Sequence, residues 1–170
     1  MSTRALIVAV NVALAAIIPA TAPAADPNIR WADIIGIIQA GNLVGSGTGQ
    51  VTGGGQPWST TKGFATVILS NGGIHFRVEG LVFAGGNGIG TRAAITEVKG
   101  TLVCDTDGTA GGGNSTLVDT PLVPLSDQGA AEFHGSVGPL PGACLTEADV
   151  AFVVRIGTER WIANGAVRRP

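Results

Sequence analysis

Few side chains in this 170-residue chain stand in patterns that do chemistry. Asp105-Thr106-Asp107-Gly108 has the form of the start of a calcium loop, where close carboxylates and a turn-making glycine gather oxygen ligands. No glutamate follows at the distance an EF-hand needs for its bidentate ligand. A solvated Asp-Gly turn is therefore expected, and calcium binding by the Asp105–Asp107 loop is left open. Gly85 to Gly90 has the glycine content of a phosphate-cradling loop, but no Lys-Ser/Thr and no helix start follow it. His75 and His134 are the two histidines, each at an outward position of a predicted strand. Two imidazoles meeting across a sheet bind copper or zinc only with a third or fourth ligand, so surface histidines are expected and no metal or cofactor is assigned. The G-x-S-x-G pattern is absent around every serine, which removes the nucleophile-elbow signature. A glycosidase carboxylate pair is defined by a separation in space that one sequence does not give. No catalytic residue is assigned.

Cys104 and Cys144 are the only cysteines, and an even count in an oxidising compartment favours a disulfide. Closing a loop of that length stabilises by about 4 kcal/mol in the chain-entropy account. The alternatives, a catalytic thiol or a metal pair, lack a nearby histidine or a CxxC spacing. Trp58 lies beside a Gly/Pro loop in QPWSTTK, where an exposed ring would stack a sugar. The competing expectation is that Trp31, Trp58 and Trp161 plug the ends of a core that has no tyrosine.

These side chains must be positioned by the elements of the chain, whose start reads as an export signal. Met1 to Ala25 has the layout of a secretory signal: Arg4, an apolar run from Ala5 to Ile18, and the small-x-small site Ala22-Pro23-Ala24. That run is shorter than the roughly 20 residues a membrane span needs. Residues 26–170 are then expected to form a single β-sandwich domain. The net charge of −2 with 13% charged residues excludes a polybasic nucleic-acid footprint and an acidic tail. An extracellular or envelope partner is expected, with no nucleic acid and no membrane span in the mature protein.

The organising stretch is FATVILSNGGIHFRVEGL, Phe64 to Leu81. Asn71-Gly72-Gly73 accepts the positive φ of a tight hairpin turn. Ile74, Phe76 and Val78 alternate with His75, Arg77 and Glu79, which places the first set inward and the second in water. In the preceding arm Ala65, Val67 and Leu69 point inward, but Phe64 and Ile68 break the polar side, so cover on both faces is expected there.

Upstream, 26–30 reads as a polar lead-in, Trp31 to Ala40 as a first strand or a helical turn, and Asn42 to Gly53 as one irregular strand. Downstream, Ala93 to Cys104 reads as one bent strand or two around Gly100. Pro121 and Pro124 keep 122–125 at an edge or in a loop. Ala131, Phe133, Gly135 and Val137 alternate inward against Glu132, His134 and Ser136. Asp149 to Ile156 and Arg160 to Val167 form a C-terminal hairpin. About 8–9 short strands with frequent turns predict an all-β antiparallel sandwich or small barrel.

FATVILSNGGIHFRVEGL, AAITEVKGTLVC and AFVVRIGTERWIANGAV together resemble the layout of chordin-type (CHRD) domains of secreted bacterial proteins, over about Phe64 to Val167. Members show a hairpin ending in Gly-Leu, a middle strand and a closing pair that ends near a glycine. They often carry histidines in the middle and penultimate strands, whereas 93–96 and 153–156 here have none. The resemblance therefore implies an all-β extracellular module and transfers no site. The resulting expectation is a secreted, noncatalytic structural or binding domain. A carbohydrate- or surface-binding module is the alternative, and a small secreted hydrolase ranks third.

Overall fold

The computed structural model describes residues 28–146, 149–158 and 160–169. The signal-peptide expectation over Met1 to Ala25 lies outside the described residues. Alternating apolar and polar positions, broken by glycine-rich turns, make the regular structure of the described residues almost all strand. They are β1 (Asn28–Gly36), β2 (Leu43–Val44), β3 (Val51–Gly53), β4 (Trp58–Ser59), β5 (Lys62–Ile68), β6 (Gly73–Glu79) and β7 (Val82–Phe83). There follow β8 (Glu97–Cys104), β9 (Thr116–Asp119), β10 (Val123–Pro124), β11 (Ala131–Ser136), β12 (Val150–Ile156) and β13 (Arg160–Arg169). Among the described residues one short α-helix, α1 (Ala143–Thr146), precedes β12.

The main sheet runs β10-β8-β12-β13-β1-β5-β6-β11, with β9 on the same edge of β8 as β10. Its pairs are antiparallel, except that β3 lies parallel to β13. The sheet curls on itself, and glycine makes the closure possible. A Cβ on Gly100 of β8 would stand 2.7 Å from the Phe152 ring and 2.8 Å from the Phe76 ring. The absent side chain leaves room for these rings to meet at the centre. Trp31, Phe152, Phe76 and Phe133 pass the contact from β1 to β11, with centroids 5.7, 5.6 and 6.4 Å apart in succession. Such rings supply much of the buried apolar area of a core without tyrosine. The all-β expectation holds, in the form of a curled half-barrel.

The hairpin that begins at Phe64 has the predicted faces. Ile74, Phe76 and Val78 are buried, and Arg77 is exposed. Gly72 adopts φ +66° in the turn, and its NH donates to the Ile68 carbonyl at 2.9 Å. The Asn71 side chain accepts from the Gly73 NH at 2.8 Å. Expected cover on the outer face of β5 is absent: Phe64 is only half-buried and Ile68 is exposed. At the start, β1 begins at Asn28 and so includes most of the expected polar lead-in, and no helical turn forms there. The single strand expected over Asn42 to Gly53 is divided into β2, a turn at Gly47–Gly49 and β3.

Both faces of β8 are buried. Its outer face is covered where the 45–50 loop locks into the 105–115 loop. Ser115 donates through its NH to the Ser46 carbonyl and through its hydroxyl to the Asp105 carbonyl, at 3.0 and 2.7 Å. On the same face Lys99 and Arg155 stand opposite each other and share one carboxylate. Asp119 accepts from Lys99 Nζ at 2.5 Å, from Arg155 at 3.3 Å and from the Thr101 hydroxyl at 2.6 Å. Arg155 also donates to the Thr158 carbonyl. Cys104 at the end of β8 is bonded to Cys144 of α1, with both residues buried. The disulfide expectation therefore holds, and the bond ties the 137–146 connection to the sheet.

Candidate ligand-binding face

In a sheet, residues directly opposite on neighbouring strands share a face, so the pairing register assembles surface rows that sequence separation conceals. On the outer face one row crosses five strands. Arg169 of β13 pairs with Arg30 of β1, and Arg30 with Thr66 of β5. Thr66 then pairs with His75 of β6, and His75 with His134 of β11. The adjacent row holds Phe64, Arg77 and Glu132, and the next pairs Lys62 with Glu79.

Beside these rows lies an open cleft of about 650 Å³, lined by Arg30, Asp33, Lys62, Phe64, Arg77, Glu79 and Arg169 among others. Four of the ten lysines and arginines converge on it, although the whole chain is slightly acidic. Glu79 occupies two of these cations: Arg77 at 2.8 Å and Lys62 at 4.0 Å. Arg30 and Arg169 are exposed, and neither is ion-paired to a described residue.

At the far end of the row the two histidines do meet across the sheet. Their rings are stacked, with centroids 4.5 Å apart and planes 23° from parallel. Ring nitrogens donate and ligate in the plane of the ring, so stacked imidazoles do not aim two nitrogens at one point. Among the described residues no group of three His, Cys, Asp or Glu side chains is disposed to hold a metal. His75 Nε2 lies 3.0 Å from Glu132 Oε1, and the Phe64 ring meets the imidazole edge-on at 4.8 Å. The hydrogen bond to His75 holds the Glu132 carboxyl below its ordinary range, helped by the charge of Arg77.

The other expected sites resolve differently. Trp58 is 3% exposed and packs on Phe83 at 4.3 Å, so no open ring face is available for stacking a sugar. It belongs with Trp31 and Trp161, which are also buried; Trp161 donates its indole NH to the Asn42 carbonyl. In the 105–111 turn the carboxylates serve the loop's own backbone. Asp105 is buried and accepts from the NH groups of Ala110 and Gly111, at 3.2 and 2.5 Å. Asp107 accepts from the Thr109 NH at 3.0 Å, which lowers its pKa. Gly85 to Gly90 forms a surface turn that includes Gly86–Gly88.

The cationic face was not assembled from the sequence. Alternation placed Arg77 outward, but Arg30 and Arg169 lie 139 positions apart, and only the β1–β13 register joins them. Comparisons with protein-family models, with curated proteins and with solved structures give no match.

Proposed function

We propose that this chain is an exported, noncatalytic binding domain whose ligand lies against the outer face of β1, β5, β6 and β13. The observation that carries this reading is the open cleft in which Arg30, Arg169, Phe64 and Arg77 line one surface. A sheet with a sealed core and a wide, shallow outer face suits an extended ligand held by side chains that strands keep rigid. The titratable groups that line the cleft, Arg30, Asp33, Lys62, Arg77, Glu79 and Arg169, lie on an open surface and not in an enclosed pocket. Export is supported by the signal-like residues 1–25 and by the Cys104–Cys144 bond, since such bonds persist in oxidising compartments. The similarity of layout to CHRD domains agrees with an extracellular module.

The test incubates the purified domain with insoluble cell-envelope polysaccharide. Binding is read by co-sedimentation and chain length by chromatography before and after. The domain is expected to sediment with the polymer and leave its length unchanged, and Phe64→Ser is expected to weaken binding. Shortening of the polymer, or no co-sedimentation, would overturn the reading.

A further inference from the structure

We infer that the ligand of this face is an acidic polysaccharide, a sugar chain bearing carboxylate or sulfate groups, laid along the row from Arg169 to His134. This rests on the binding reading above and gives the ligand its chemistry. Arg30 and Arg169 are opposed in register and exposed, with no described acidic partner. Like charges directly opposite in a sheet destabilise it unless an anion lies between them, and a guanidinium pair receives a carboxylate or sulfate through paired NH donors. The row continues through the Thr66 hydroxyl to the two imidazoles. Five strands at about 4.8 Å spacing make it roughly 19 Å long, which suits several sugars in succession better than one small anion.

The half-buried Phe64 ring beside the row offers an apolar face to the C–H side of a sugar. Single-stranded nucleic acid is held differently, by several aromatic platforms inside a strongly basic groove. Here a single phenylalanine lines the cleft, which fits a sugar chain better than a run of stacked bases.

The experiment measures affinity for polygalacturonate, dextran sulfate, neutral dextran and a single-stranded oligonucleotide. Both acidic polymers are expected to bind, with neutral dextran and the oligonucleotide at least tenfold weaker. An Arg30→Gln/Arg169→Gln double variant, confirmed folded by near-UV circular dichroism, is expected to lose about tenfold toward the acidic polymers. Neutral dextran binding as well as the acidic polymers, weakened by Phe64→Ser, would overturn the acidic class and leave the binding face intact. Tighter binding of the oligonucleotide, or acidic-polymer affinity unchanged in the double variant, would overturn the inference. Failure of every polymer to bind would remove the binding reading with it.

Discussion

Arg30 and Arg169 stand directly opposite each other on β1 and β13, both exposed, where a fold selected for stability alone would set opposite charges. Replacing either with glutamine removes a like-charge contact and no ion pair to a described residue. Arg30→Gln is therefore expected to leave stability unchanged or raise it by up to about 0.5 kcal/mol, read from the urea midpoint. A loss of more than about 1 kcal/mol would show that the arginine serves the fold.

Asp119 has the opposite character. Among the described residues it is the one carboxylate paired with the buried Lys99 and Arg155, so Asp119→Asn leaves two opposed cations in a covered site. Breaking such an arrangement from one side costs about 3–5 kcal/mol. Lys99→Met is expected to cost less, because Asp119 keeps Arg155 and Thr101. Denaturant titration of both variants checks the order, and equal losses would contradict it.

The Phe64–Leu81 hairpin should be sensitive at its turn as well as its core. A Cβ on Gly72 would approach the Gly138 carbonyl oxygen to 1.8 Å, at a φ of +66°. Gly72→Ala is expected to cost roughly 1–3 kcal/mol. Phe76→Ala empties the point where Phe152, Phe133 and Gly100 converge, and is expected to cost about 3–5 kcal/mol. His75→Ala on the outer face is expected to stay near 0.5 kcal/mol, a limit usual for surface changes. Thermal unfolding of the three variants gives the ranking.

Glu132 supplies a pH dependence with a definite sign. Its folded-state pKa is lowered by the hydrogen bond to His75, so its stabilising contribution is complete above the ordinary glutamate range. That contribution disappears as pH falls through the lowered folded value. The stability difference between the native protein and Glu132→Gln should accordingly be full at neutral pH and close in acid. A difference that grows toward acid would reverse the assignment.

Much of the fold was legible because period-two alternation survives wherever one face meets the core. The Phe64–Leu81 strands and the Ala131 strand follow from it, and the C-terminal hairpin from a continuous apolar run ahead of the turn residues Gly157-Thr158-Glu159. The disulfide followed from there being two cysteines. Sequence reading failed where a segment's surroundings are distant in the chain. The expected strand over 42–53 is broken where it locks against Ser115, whereas for Trp58 the core-plug expectation holds, with Phe83 of β7 against its ring. The cationic row was illegible for a related reason. Its members come from five strands, and a one-residue change of register would send each to the other face.

The most direct test of the binding face is a backbone-amide NMR titration of the folded domain with polygalacturonate oligomers. The account predicts saturable shift changes gathered at 30–33, 62–66, 75–79, 132–134 and 168–169, with the 45–50 and 105–115 loops unmoved. Shift changes gathered at those two loops, or spread without saturation over the whole surface, would contradict it.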